Sequence, residues 1–145
     1  MFKHILIPTD GDPGSKRAAQ VGIELARQLK AEVTFFHAMT EFAHASAVAE
    51  LLEPPPDELL ADAQSHAAKL LAPLRRMAKD SNVPCHLEST LSEAPYKAIL
   101  AAAKKAKCDL IVMASRKRSG IAKLVLGSVA QKVVGNSSLP VLVVN

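Results

Sequence analysis

The chain alternates between short apolar runs, which are typical of buried strands, and longer segments whose apolar residues recur at helical spacing. The runs 2–9, 109–114 and 139–144 are mainly aliphatic, and 32–38 is rich in β-branched and aromatic residues. The segment 84–91 instead alternates apolar and polar positions. A continuous apolar run indicates a parallel strand covered on both faces, and alternation indicates a strand with one solvated face. We therefore predict five strands and place the third, 84–91, at an edge of the sheet.

Helical spacing predicts one helix in each connection between these strands. The first is expected to begin at Ser15, and the second to run over 57–79. Ser92 is expected to cap the third helix, and a capping box formed by Ser128 and Gln131 predicts the start of the fourth. We thus predict four helices in alternation with five strands.

This alternation, with connections too long for hairpins, predicts an α/β fold: a doubly wound five-stranded parallel sheet with helices on both faces. No linker, repeat or low-complexity tract interrupts it, so we expect a single domain over 1–145. In open sheets of this kind, ligands bind beyond the carboxyl ends of the strands, where the winding direction reverses. Polar residues stand there after strand one (Thr9, Asp10, Asp12) and after strand four (115–118). Their loops would face one crevice if the two strands are neighbours.

Composition narrows the class of function. The 145 residues are 49% hydrophobic and 22% charged, with a net charge of +4, as in an ordinary globular protein. Four Phe, one Tyr and no Trp provide few stacking platforms, which argues against binding of single-stranded nucleic acid. The two cysteines lack metal-ligand spacing, and no segment approaches the roughly 20 apolar residues of a membrane span. We expect a cytoplasmic protein that binds neither nucleic acid nor membrane.

The most informative stretch is 109–131, which has the pattern of a strand, a basic loop and the start of a helix. Its loop contains Arg116, Lys117 and Arg118. Small and cationic residues between a buried strand and a helix N-terminus are typical of phosphate sites in α/β proteins. A solvated basic turn before a well-capped helix explains the same residues, so the pattern alone leaves both interpretations open.

The chain resembles the universal stress protein family along its whole length. Residues 3–11 resemble that family's first strand and turn, 36–38 the end of its second strand, 113–128 its nucleotide loop and 140–144 its closing strand. These four motifs occur in the same order and at matching spacing, which makes the resemblance specific. It implies a Rossmann-like sheet, similar to adenine nucleotide hydrolases, in the order 3-2-1-4-5. It also implies a homodimer formed through the last strand, Val141–Val144.

In nucleotide-binding members of that family, the loop reads Gly, two residues, Gly, nine residues, Gly, and then Ser or Thr. The matching positions are Ala114, Lys117, Gly127 and Ser128, so the first two glycines are replaced. Glycine lets the backbone approach a phosphate, and another residue in a left-handed conformation costs about 1–2 kcal/mol. A lysine–phosphate contact contributes about 1.5–3 kcal/mol. Lys117 is therefore compatible with either retained or lost nucleotide binding.

The resemblance also implies which residues contact the nucleotide. The base would meet the backbone of Ala38 and the side chain of Met113, Asp10 would approach the ribose or a phosphate-bound metal, and N–H groups from Gly127 onward would meet phosphates. Structural roles remain open beside these: an Asx turn for Asp10, the core for Met113 and a helix cap for Ser128. The implied binding residues are Pro8, Thr9, Asp10, Ala38, Met113, Ala114, Ser115, Lys117, Gly127, Ser128 and Val129.

Three weaker candidates are interpreted structurally or set aside. His37 has no nucleophile motif beside it and is taken as a structural histidine. His44 and the glutamates around it match no metal-ligand spacing. Asp10 and Asp12 suggest a phospho-acceptor domain, but that reading requires an Asp at the end of strand three, where the chain has Glu88-Ser-Thr90.

Two hypotheses follow for function. The first is a stress-response regulator that binds ATP, together with Mg²⁺, in the crevice between strands one and four, and acts through ligand-dependent conformation. The second is a dimeric interaction or signalling protein of the same fold that has lost nucleotide binding because Lys117 replaces a loop glycine. Slow ATP hydrolysis is the least favoured alternative, because the sequence shows no positioned general base and no catalytic residue is assigned.

Overall fold

The computed structural model describes residues 1–40, 56–115 and 126–145. All neighbouring strands pair in parallel, and their spatial order is β3-β2-β1-β4-β5. The predicted parallel sheet and its order 3-2-1-4-5 are therefore confirmed. The strands are β1 (His4–Pro8), β2 (Glu32–Met39), β3 (Cys85–Leu91), β4 (Leu110–Ala114) and β5 (Val141–Val144).

Helices cover both faces of the sheet, as predicted. The helices are α1 (Pro13–Leu29), α2 (Pro56–Asp80), α3 (Pro95–Lys105) and α4 (Ser128–Asn136). Successive strand residues point to opposite faces. Ile7 and Phe35 therefore pack under α1 and α2, whereas Leu6 and Phe36 pack under α3 and α4. None of the helices in the described ranges is long and apolar enough to cross a membrane.

The edge position predicted for β3 is confirmed. In the described part of the chain, β3 pairs with β2 alone. Its polar residues His86, Glu88 and Thr90 are exposed, whereas Leu87 between them is half-buried against the core. The alternation in the sequence therefore reports one face that is in contact with solvent.

Two helices begin differently from the prediction because other residues cap them. Asp12 is the N-cap of α1, and its Oδ1 accepts the Ser15 amide at 2.7 Å, so the helix begins at Pro13, two residues earlier than predicted. The expectation that Ser92 caps α3 is wrong. The N-cap is Ala94, and the Ser92 hydroxyl accepts the Ala94 amide at 3.1 Å in a turn before the helix.

The predicted capping box at the start of α4 is also wrong. The N-cap is Gly127, which has an extended ψ of 158° and whose carbonyl accepts the Gln131 amide at 3.0 Å. Ser128 is therefore the first residue of the helix. The Gln131 side-chain amide donates to the Leu126 carbonyl at 2.8 Å, whereas in a capping box its oxygen would accept from the amide of the cap residue.

Three joints between a helix and the next strand share one geometry, the Schellman motif. Each has a residue in the left-handed region: Lys30 after α1, Asn82 after α2 and Lys107 after α3, with φ of 55°, 55° and 57°. The following amide donates to a carbonyl five residues back at 2.9 Å, in the pairs Ala31–Ala26, Val83–Ala78 and Cys108–Ala103. These joints lie where β2, β3 and β4 begin, at the amino-terminal ends of the strands. The predicted site lies at the opposite, carboxyl-terminal ends.

Candidate ligand-binding cleft

An open cleft of about 290 Å³ lies at the carboxyl ends of β1, β2 and β4. It forms there because β1 and β4 are neighbours, with Ile5 beside Leu110 and Leu6 beside Ile111, while the chain winds away from them in opposite directions. The two strands are neighbours, as the expectation of a common crevice required, and the loop after β1 and the end of β4 both line the cleft. Of the loop after β4, residues 116–118 lie outside the described residues, so their position at the crevice stays a prediction.

The cleft brings together nine of the eleven residues predicted to bind a ligand. Their common position does not test whether they contact a ligand, so that role stays a prediction. Lys117 lies outside the described residues, as do Arg116, Arg118 and the group around His44. The nine are Pro8, Thr9, Asp10, Ala38, Met113, Ala114, Gly127, Ser128 and Val129.

Ser115 has a different environment. Its side chain is buried, and its hydroxyl donates to Oδ1 of Asn145 at 2.9 Å. Its amide donates to the Val144 carbonyl at 2.9 Å, which extends the pairing of β4 with β5. Ser115 is not among the residues that line the cleft, and its contacts join the end of β4 to the C-terminal strand.

The loop between β1 and α1 holds two carboxylates at the cleft. Oδ1 of Asp10 accepts the Asp12 amide at 3.1 Å and the Ser15 hydroxyl at 2.8 Å, and Asp12 caps α1. The Asx turn foreseen for Asp10 is therefore present, and the same residue lines the cleft. Gly11 between them has a φ of +87°, which favours glycine, and a Cβ there would lie 3.0 Å from Cδ1 of Leu70.

The N-terminus of α4 supplies the opposite charge. Gly127, Ser128 and Val129 line the cleft, and no side chain in the described part of the chain caps this end of the helix. The first amides of a helix have no partner within it, and they form the positive end of the helix dipole. This end of the cleft is therefore suited to an anion.

The side of the cleft nearest β2 and α3 is largely apolar. Phe36 and Met113 on the sheet and Ile99 on α3 are 1%, 5% and 4% exposed and pack in the core between the sheet and the pair α3 and α4. They also contribute to the cleft wall, together with Pro95 at the start of α3. Met113 therefore packs in the core and also lines the cleft. A wall of this kind suits a flat apolar group.

Sequence reasoning missed several residues of this wall, among them Thr40, Pro95 and Ile99. Pro95 and Ile99 lie four residues apart and hence on one face of α3, which the sequence marks as apolar. That spacing predicts a buried face and does not distinguish a face that covers the core from one that also borders a cleft. Thr40 follows β2 without any motif that marks it.

A parallel sheet in this order, with a cleft where its winding reverses, defines a Rossmann-like α/β protein. The universal stress protein family matches residues 1–145, and the chain belongs to that family. The chain is 36% identical over 144 residues to a universal stress protein of Thermus aquaticus, covering 99% of each protein. It is 35% identical over 144 residues to one of Methanocaldococcus jannaschii, covering 99% of this chain and 82% of that protein.

Solved structures share the fold. A universal stress protein from Lactobacillus plantarum superposes with a TM-score of 0.80 at 21% identity, covering 99% of this chain and 97% of the other. A universal stress protein in complex with cAMP gives 0.70 at 22% identity, covering 99% and 97%. One from Archaeoglobus fulgidus in complex with dAMP gives 0.66 at 16% identity, covering 100% and 98%.

Proposed function

We propose that this protein binds an adenine nucleotide in the cleft and acts as a cytoplasmic stress-response regulator, through ligand-dependent conformation rather than turnover. The observation that carries the proposal is the presence in one cleft of an apolar wall and a helix N-terminus that no side chain of the described residues caps. A nucleotide has the same two parts, a flat base and an anionic tail. The cAMP and dAMP complexes of fold relatives support the choice of adenine.

The wall and the helix end suggest an orientation for the nucleotide. The base would lie against Phe36 and Met113, beside the backbone of Ala38. The phosphates would approach the first amides of α4, at Ser128 and Val129, where N–H donors and the helix dipole favour negative charge. In this orientation Pro8 and Thr9 lie against the nucleoside between the two ends.

A polyphosphate tail would require a cation in this cleft. Asp10 and Asp12 both line it, and carboxylates beside a triphosphate repel it. Oxygen ligands of this kind, shared with phosphates, are those that Mg²⁺ prefers. For ATP we therefore propose that Mg²⁺ would accompany the nucleotide, that Asp10 would be the residue that holds it, and that the ion would neutralise the phosphate charge.

The second candidate is an interaction protein of the same fold that does not bind nucleotide. It is favoured by the replacement of two loop glycines by Ala114 and Lys117. A long side chain at the second position would occupy space that the phosphates need. This candidate differs from the first in a single measurable property, the affinity for nucleotide.

Both candidates include a homodimer formed through β5. In the described part of the chain β5 pairs with β4 alone, and its residue Leu142 is 40% exposed. An unpaired apolar edge strand favours pairing with another strand unless it is covered. Two-fold pairing of β5 with the same strand of a second copy would cover both edges.

Titration calorimetry and thermal denaturation, each with ATP plus Mg²⁺ and with AMP, test the proposed nucleotide binding. A ligand at a hundred times its dissociation constant raises the free energy of unfolding by about 2.7 kcal/mol. We expect saturable heat and a raised unfolding temperature. If neither ATP plus Mg²⁺ nor AMP gives saturable heat or a raised unfolding temperature at millimolar concentration, the first candidate is contradicted.

The variant Lys117→Gly then assigns the role of the lysine. Gained or strengthened ATP binding would mean that the side chain excludes the phosphates, and weakened binding would mean that it holds them. Lys107→Gly is the matched control. It also removes one positive charge, but near the amino-terminal end of β4, away from the cleft. The φ of 57° at this position is one that glycine adopts readily.

A further inference from the structure

His37 is a buried residue of the cleft wall, and its ring is hydrogen-bonded to the backbone directly after β1. The residue is 4% exposed, and Nδ1 lies 2.9 Å from the carbonyl oxygen of Thr9. Because a carbonyl only accepts, Nδ1 carries the proton and donates. Nε2 is buried and has no hydrogen-bond partner among the described residues. A buried polar atom without a partner is costly, so the position of this ring requires an explanation.

The ladder between β1 and β2 shows what the imidazole replaces. At one end the Glu32 amide donates to the Lys3 carbonyl at 3.0 Å, and at the other the Thr9 amide donates to the Phe36 carbonyl at 2.8 Å. Parallel bonds recur every two residues along both strands. The next bond would therefore join the Ala38 amide to the Thr9 carbonyl. That bond is not formed in the described structure, and the register ends at Pro8 beside Phe36.

We propose that His37 is a positioning residue for the ligand site. Its Nδ1–H donates to the Thr9 carbonyl, so the β1–β2 ladder ends one hydrogen bond early. The amide of Ala38, a residue that lines the cleft, is then available to hydrogen-bond the edge of a nucleobase. The identity of the ligand rests on the proposed function. The competition for the Thr9 carbonyl does not depend on it.

The surroundings of the ring hold it in this geometry. It packs edge-on against the ring of His66 on α2, with 6.2 Å between the centroids. Thr9 is itself anchored, since its Oγ1 accepts the Gly11 amide at 3.2 Å. The imidazole therefore holds the start of the loop that carries Asp10, and a histidine that only filled space would not need the bond to Thr9.

Amide hydrogen exchange of the whole chain without ligand tests the competition directly. In the wild type we expect the Ala38 amide to exchange much faster than the Phe36 amide, which lies one ladder step earlier. In His37→Leu the Thr9 carbonyl is released, and the Ala38 amide should become about tenfold more protected as the ladder extends. A variant that merely loosened the fold would move protection in the opposite direction.

Nucleotide affinity provides the second readout. His37→Leu should weaken AMP binding about tenfold, whereas His37→Asn, whose side-chain amide can donate from near the position of Nδ1, should restore most of it. His37→Gln places its donor one bond further out and should not restore it. His4→Asn is the matched control, because His4 contacts Thr34 and Glu32 at the other end of the same sheet. It should leave both the affinity and the Ala38 exchange unchanged.

The outcomes separate the two proposals. If the wild type binds no adenine nucleotide, the proposed function fails, while the exchange of the Ala38 amide in the wild type and in His37→Leu still decides the role of His37. An Ala38 amide as protected as that of Phe36 in the unliganded wild type would overturn that role. So would equal effects of the Leu and Asn substitutions on Ala38 exchange.

Discussion

Oδ1 of Asp12 accepts a hydrogen bond from the amide of Ser15 at 2.7 Å, and the same carboxylate group lines the cleft. One side chain therefore both caps α1 and brings negative charge to the place where phosphates would bind. The cap depends on an acceptor oxygen, whereas the effect on an anion depends on charge. Substitutions can separate the two roles.

We expect Asp12→Ala to lower the free energy of unfolding by about 1 kcal/mol, because the N-cap bond is lost, and Asp12→Asn to lower it by only a few tenths. Asp12→Asn should at the same time strengthen ATP binding in the absence of Mg²⁺, since one negative charge is removed from the cleft. Urea denaturation and calorimetry with and without Mg²⁺ measure these effects. Equal stability of the Ala and Asn variants would show that the cap contributes nothing.

Two helical glycines should respond oppositely to the addition of a methyl group. At Gly22, a Cβ would lie 2.5 Å from Cδ1 and 3.1 Å from Cγ1 of Ile7, which is fully buried. Overpacking costs about 1–3 kcal/mol and improved helix propensity returns about 1 kcal/mol, so Gly22→Ala should destabilise the protein by about 1 kcal/mol. At Gly135 a Cβ meets no atom of the described residues within 4 Å, and Gly135→Ala should stabilise the protein by about 0.5–1 kcal/mol. Urea denaturation that ranked the two variants in the reverse order would contradict this account of the α1–β1 contact.

Cys108 should make the protein sensitive to alkaline pH. Burial, with the carboxylates of Asp109 and Glu32 nearby, raises the pKa of this thiol from an ordinary 9.0 to about 12. The folded state therefore holds the proton more tightly than the unfolded state, so the stability from this group is present below pH 9.0 and is lost as pH rises toward 12.

Between about pH 9 and 11, the free energy of unfolding of Cys108→Ala should thus fall less steeply than that of the wild type. Denaturant titrations at several pH values give the slopes, and Cys85→Ala controls for the loss of a thiol elsewhere in the fold. Parallel slopes for the wild type and Cys108→Ala would rule out a linked thiol.

The exposed side chain of Leu142 offers a test of the proposed dimer. A lysine there would place like charges close together across a two-fold strand pair, so Leu142→Lys should shift a micromolar sample from dimer to monomer in sedimentation velocity. Leu91→Lys is a matched control, because Leu91 is similarly exposed, at 45%, but lies on β3 at the other edge of the sheet. A wild type that sediments only as a monomer would contradict the dimer itself.

Periodicity predicted the strands and their class well, for a physical reason. A strand buried on both faces requires an unbroken apolar run, as in β1 and β4, and β3 alternates because one of its faces is solvated. Helix starts were less predictable. Ser92 and Ser128 are good capping residues, yet Ala94 and Gly127 hold the cap positions, because the path of the incoming chain decides which residue lies at the first free turn.

The cleft was predictable mainly through resemblance. Loop residues such as Asp10 and Gly127 belong to recognisable motifs, whereas the wall formed by Pro95 and Ile99 depends on how α3 packs against the sheet. The role of His37 depends on a register between two strands that no local pattern records. Its buried contact with the Thr9 carbonyl joins residues 28 positions apart.

Because of the three Schellman joints, the two ends of the strands should differ in their tolerance to insertions. Lys30 and Lys107 adopt the left-handed conformation, and the amide after each donates to a carbonyl of the preceding helix. An insertion at the amino-terminal end of β2 or β4 would break this hydrogen bond. At the carboxyl-terminal ends of the strands, the described ranges contain none of these Schellman motifs. New recognition sequences could therefore be inserted in the loops at the cleft while the joints at the amino-terminal ends of the strands stay intact. The fold would then serve as a scaffold that varies at one end of its strands only.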